Sequence, residues 1–117
     1  MAEKTPTVRG KILTLWDYEA DRLIMELDIT RSSDWPNWQD WLDSRTTKSF
    51  RYIGDDDTVT CTVVKEKRAG YKGRSVKWFW YAHRRLGGQL RRKYLGLSEN
   101  VTYNRLKEVA LELEQGN

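Results

Sequence analysis

An α+β domain with a mostly antiparallel sheet is what this sequence predicts, on three observations. Alternating stretches of strand length recur along the chain, and the clearest, Thr58 to Lys67, is rich in β-branched residues. Gly87-Gly88 separates two further alternating runs as a two-residue hairpin turn would. Leu106, Val109, Ala110 and Leu113 repeat at i, i+3, i+4, i+7, the stripe of an amphipathic helix. At 117 residues the chain is the size of one domain, 1–117, with room for a modest core. A hydrophobic content of 38% and a mean hydropathy of -0.80 approach the composition of disordered chains. Six Trp, six Tyr and two Phe point the other way, because each large ring buries much apolar area. The expectation is a folded, soluble domain built from few, bulky side chains.

The elements follow in order. Val8 to Leu15 and Leu23 to Ile29 predict a hairpin of two strands, with Asp17-Tyr18-Glu19-Ala20-Asp21 as its loop. In the second strand Leu23, Met25, Leu27 and Ile29 share one face. Ser32-Ser33-Asp34 offers N-cap chemistry and Pro36 suits a first helical turn, so a short helix is expected over about 33–44. Trp35, Trp38, Trp41 and Leu42 form its stripe, which reads as core rather than as a stacking site for a ligand. Ser49 to Ile53 predicts a strand, and Gly54-Asp55-Asp56-Asp57 a turn. The three adjacent carboxylates lack the alternate spacing and glycine of a calcium loop. Thr58–Lys67, Val76–Leu86 and Gln89–Leu95 predict three more strands, with a loop at Ala69–Gly73. Thr102 can cap a last helix running to about Gln115. The organisation is thus an acidic N-terminal hairpin and Trp-rich helix over 1–57, then a basic three-stranded sheet plus helix over 58–115.

Charge carries the strongest functional signal. Residues 1–64 hold 8 basic and 12 acidic side chains, residues 65–93 hold 11 and 1, and residues 94–117 hold 2 and 4. A block at net +10 between acidic flanks implies an acidic partner, and nucleic acid is the commonest. Counting outward from Gly87-Gly88 pairs Arg84 with Arg91, His83 with Arg92, Ala82 with Lys93, Tyr81 with Tyr94 and Trp80 with Leu95. One face then carries Val76, Trp78, Trp80, Ala82 and Leu95, a core face for the last helix. The other carries Lys77, Phe79, Tyr81, His83, Arg85, Arg92 and Tyr94, cations mixed with rings. Arginine and lysine neutralise phosphates, planar arginine matches a guanine edge, and rings stack on bases. The candidate nucleic-acid-binding residues are Arg68, Lys72, Arg74, Lys77, Tyr81, His83, Arg84, Arg85, Arg91, Arg92 and Tyr94.

These residues also carry a resemblance. Three strands and a helix, with Trp80-Tyr81-Ala82 on the middle strand, Gly87-Gly88 at the turn and Tyr94-Leu95-Gly96 closing the third, resemble the arm-site-binding domains of tyrosine recombinases and the plant Apetala/ethylene-responsive-factor domain. In those families the sheet lies in the major groove with the helix behind it. Over residues 30–113 the chain is similar to a short module ahead of the ATPase domain in some MalT-type LuxR-family regulators. The elements of that likeness are Pro36-Asn37-Trp38-Gln39-Asp40-Trp41-Leu42, Ser49-Phe50-Arg51-Tyr52, Lys65-Glu66-Lys67-Arg68, Trp80-Tyr81-Ala82-His83-Arg84-Arg85, Leu90 to Gly96 and Ser98-Glu99-Asn100-Val101-Thr102. The resemblance implies DNA binding through the sheet and a regulatory or recombination-accessory role. Neither the ATPase nor the helix-turn-helix of those regulators occurs in these 117 residues.

Other chemistries are thinly supported. Cys61 is the single cysteine, which excludes an internal disulfide and a cysteine-based zinc site. His83 is the single histidine and stands among arginines without a nucleophile beside it. No Walker A or dinucleotide fingerprint is present. No metal, cofactor or enzymatic activity is expected. Met1 to Pro6 has no apolar signal region and no apolar run is long enough to span a membrane, so a cytoplasmic location without membrane contact is expected. The leading reading is duplex DNA bound through the basic sheet. RNA is a related ligand, and a protein-interaction module acting through the acidic N-terminal half is the alternative.

Overall fold

A computed structural model describes residues 6–17, 19–55, 59–68 and 77–115, with the backbone alone considered at Arg68 and Lys77. Seven strands form one sheet, in the order β3-β2-β1-β4-β5-β6-β7, and two helices pack on one of its faces. The fold is α+β and mostly antiparallel. The strands are β1 (Thr7–Arg9), β2 (Ile12–Asp17), β3 (Arg22–Asp28), β4 (Ser49–Ile53), β5 (Thr60–Arg68), β6 (Lys77–Leu86) and β7 (Gln89–Gly96). The helices are α1 (Trp35–Asp43) and α2 (Tyr103–Gln115), with a short 3-10 turn at Ser98–Asn100. β1 and β4 run parallel, and every other neighbouring pair runs antiparallel.

The first expected strand, Val8 to Leu15, is two strands. Gly10 sits between them at φ +59, a left-handed conformation open to glycine, and its N–H donates to Ile53 O at 2.8 Å. The chain therefore folds back after three residues, and β1 becomes the seam between the N-terminal hairpins and β4. At the β2–β3 hairpin the Asp17 carboxylate accepts the N–H groups of Glu19 at 3.0 Å and Ala20 at 3.1 Å, an Asx turn.

α1 begins at the expected place, but Asp34 makes no side-chain cap. Its carboxylate accepts the Asp28 N–H at 3.1 Å instead, which ties the helix start to the end of β3. Trp38 and Leu42 are fully buried, so the aromatic stripe is core. Trp38 stacks on Trp41 with centroids 5.7 Å apart and meets Phe50 of β4 edge-on at 5.6 Å. Phe50 in turn contacts the buried Trp80 of β6 at 5.6 Å. The Trp38 Nε1–H donates to Val101 O at 2.9 Å, and the Trp80 Nε1–H donates to Ser98 Oγ at 3.0 Å. Both indoles are thus buried with their polar edge satisfied. In α2, Leu106, Val109, Ala110 and Leu113 are all buried, and Thr102 Oγ1 accepts the Arg105 N–H at 3.2 Å as a cap.

The Gly87-Gly88 turn is present, with both residues at positive φ (+57 and +83), as a type I′ hairpin requires. The counted register holds from Leu86↔Gln89 to Tyr81↔Tyr94 and then shifts. Trp80 pairs with Gly96, not with Leu95, so Leu95 is the extra residue of a bulge. A glycine opposite the Trp80 indole leaves room for the chain to bend into the 3-10 turn that delivers Ser98 to it. The expected core face needs a second correction. Trp80, Ala82 and Leu95 are buried, but Trp78 is 50% exposed at the end of the sheet, where Lys65 Nζ lies 5.8 Å from its ring. Val76 and the expected Ala69–Gly73 loop lie outside the described residues, as do Asp56 and Asp57 of the acidic turn.

Candidate nucleic-acid interface

β5, β6 and β7 alternate their side chains between the covered face and an outward one on which, among the described residues, no helix packs. Phe79, Tyr81, His83 and Arg85 point outward from β6, and Leu90, Arg92 and Tyr94 from β7. The Tyr94 ring lies 5.3 Å from Tyr81 and 6.0 Å from Phe79, centroid to centroid. The Arg92 guanidinium sits 4.5 Å above the Tyr81 ring and forms an ion pair with Glu66 of β5. Three rings, one arginine and one carboxylate therefore make a continuous cluster. Tyr94 remains 47% exposed, so part of its surface is open to a ligand. Arg85, near the hairpin tip, is exposed and donates to Gly88 O at 3.3 Å.

The covered face treats its cations differently. Arg84 lies 3.8 Å from Glu114 of α2, and Lys93 lies 3.5 Å from Glu112. Arg91 donates to Leu113 O at 3.5 Å, at the C-terminal end of α2 where carbonyls favour a cation. Lys65 donates to Ser44 O at 3.1 Å and lies 5.3 Å from the Trp80 ring. These partly exposed pairs are each worth little in stability, about 0–1 kcal/mol. Their consequence is geometric: they turn Arg84, Arg91 and Lys93 toward α2.

Of the sequence-predicted site residues, the structure brings Tyr81, His83, Arg85, Arg92 and Tyr94 together on the outward face. It places Arg84 and Arg91 on the helix side. Arg68 and Lys77 pair across the open end of β5 and β6, and Lys72 and Arg74 lie outside the described residues. Two members of the cluster were not among the expected site residues. Glu66 pairs with Phe79 in register, and both sit beside the residues counted from the hairpin. From sequence Glu66 could be paired with His83, but with no short turn between β5 and β6 the register that sets it opposite Phe79 and beside Arg92 cannot be counted.

No protein-family model, curated protein or solved structure matches this chain. The chemistry of the face is therefore read from its own residues. Burial pushes the Cys61 thiol up to about 12, so the buried thiol stays neutral and acts as a small apolar core group. Among the described residues no three His, Cys, Asp or Glu side chains gather in a metal-binding arrangement. No described helix is long and apolar enough to cross a membrane.

His83 stands opposite Thr62 on one side and Arg92 on the other. Burial first, and then Arg92, hold its pKa below the ordinary 6.5, while Glu66 pulls the other way. The folded chain thus takes up this proton less readily than the unfolded chain. Its contribution to stability is full above 6.5 and is lost as pH falls below 6.5 toward the lowered value. Urea midpoints are expected to drop as pH falls from neutral through the ordinary 6.5, and His83→Asn should flatten that drop. An equal drop in the variant would assign the effect to carboxylates.

Proposed function

We propose that this protein binds nucleic acid, duplex DNA foremost, through the outward face of β5, β6 and β7. The observation that carries this reading is the sorting of cations by face. Those on the helix side are engaged by α2 and by the segment after α1. Those on the outward side stand among the exposed Tyr94 and the partly buried Phe79 and Tyr81, and Arg92 is paired with Glu66. Charge kept merely for solubility has no reason to sort in this way, whereas a phosphate-binding surface does. The order of three strands and a helix, on which the resemblance to arm-site-binding and Apetala/ethylene-responsive-factor domains rests, recurs in β5, β6, β7 and α2, here within a sheet that continues into β4. On that reading the role is regulatory or recombination-accessory.

Fluorescence anisotropy on duplex DNA, single-stranded DNA and a structured RNA tests the proposal. With about five phosphates neutralised, log K should fall against log salt with a slope of about -4 to -5 on the duplex. A slope near zero, or no binding at low salt, would transfer the function to a protein partner. A shallower slope with preference for single strands would make stacking on Tyr81 and Tyr94 the main interaction. The protein-partner reading draws on a different place, edge strand β3, where Leu23 is 46% and Ile24 62% exposed.

A further inference from the structure

We infer that the nucleic-acid surface does not stop at the basic block but continues across the sheet onto β4, where Arg51 supplies a backbone phosphate contact. This rests on the reading just proposed. Residues 1–64 are acidic in sum, with 12 acidic side chains against 8 basic, so sequence alone assigns that half to another role. The fold separates its charges. Phe50 and Tyr52 are buried in the core, and Arg51 between them is exposed on the outward face. Arg51 pairs with Thr62, Thr62 with His83, and His83 with Arg92. On its other side Arg51 pairs with Thr7 of β1. Hydroxyls, a histidine and two arginines thus form one unbroken row running across five strands from β1 to β7.

Several described acids of the N-terminal half stand away from this row. Asp40 and Asp43 belong to α1 on the covered face, and Asp17, Glu19 and Asp21 lie at the β2–β3 hairpin. Among the described residues the row meets carboxylates at its two ends, Glu66 beside Arg92 and Glu26 of β3 beyond Thr14. Arg51 and Arg92 are three strand spacings apart, about 14 Å at about 4.8 Å per spacing. That is close to the roughly 12 Å width of the DNA major groove. A ribbon carrying Arg92 and the tyrosines can therefore enter the groove while Arg51 meets the phosphates along one wall. Serine, threonine and arginine are side chains that commonly hold such phosphates.

The test compares Arg51→Ala with Lys107→Ala in the full chain on one duplex, across a salt series. Lys107 is exposed on α2, over the Tyr103 ring, on the opposite side of the sheet. Both changes remove one positive charge, and both proteins should be folded by circular dichroism. Arg51→Ala should weaken binding about threefold to tenfold on every duplex sequence and reduce the salt slope by about 1. Lys107→Ala should change affinity less than about twofold, since charges more than a Debye length of about 10 Å away are largely screened. Equal small effects of the two changes, with wild type bound, would overturn the extended surface and leave the β5–β7 site intact. A wild-type chain that binds no nucleic acid would overturn both.

Discussion

Trp38→Ala is expected to cost about 3–5 kcal/mol of folding stability, the range for removing a fully buried large aromatic side chain. Trp38 is 0% exposed, touches Trp41 and Phe50, and leaves the Val101 carbonyl without its donor when truncated. Domains of this kind are stable by about 5–15 kcal/mol, so the variant should lose a large share of that margin and unfold at a markedly lower urea concentration. Urea denaturation read by tryptophan fluorescence gives the measurement. Trp78→Ala is the comparison, because that ring is 50% exposed and its loss should cost less than about 1 kcal/mol. Similar costs for the two would mean that α1 does not close the core over Phe50 and Trp80.

The second large effect is on binding. Arg92→Ala should weaken duplex binding about tenfold to a hundredfold, the cost of losing a good base contact of about 1–3 kcal/mol. Arg91→Ala should weaken it far less, although both variants lose one charge. Arg91 is directed at Leu113 O beneath the sheet, whereas Arg92 lies over Tyr81 on the outward face. Part of the Arg92 effect comes from Glu66, which loses its ion-pair partner and then repels phosphate. The double variant Arg92→Ala, Glu66→Gln isolates that part, as in a double-mutant cycle. Recovery of most of the affinity would show that repulsion, not lost contact, dominates. Equal losses for Arg91 and Arg92 would reduce the sheet to a diffuse positive surface.

Much of the site was legible because its hairpin is closed by two glycines. A two-residue turn sets the register by arithmetic, so Arg92 opposite His83 and Tyr94 opposite Tyr81 follow from counting. Counting fails where backbone geometry departs from strict pairing. The bulge at Leu95 is an example, since alternation alone assigns Trp80 to Leu95 as readily as to Gly96. The partition of Arg84 and Arg91 onto α2 is visible in the same alternation, yet charge density alone counts them with the outward cations. Glu66 and Arg51 were obscured for a different reason. Their place on the outward face depends on which strands become neighbours in the sheet, and that depends on packing of α1 and α2 rather than on local periodicity. The splitting of the first strand could be suspected from Gly10, which weakens any strand that contains it.

The short parallel pairing of β1 with β4 bears on how this chain folds. Strands β1 to β3 form successive hairpins, and so do β4 to β7, so each group can zip up from near neighbours in sequence. They join through three paired positions, Thr7↔Arg51, Val8↔Tyr52 and Arg9↔Ile53, which are 44 residues apart along the chain. Such a seam must pay for long loop closure before it returns any pairing energy, so it forms late. α1 latches it, by laying Trp38 on Phe50. Before the latch closes, β1 and β4 both present open edges of matching direction. Two chains at high concentration can then exchange their N-terminal hairpins and produce a swapped dimer with the same contacts as the monomer.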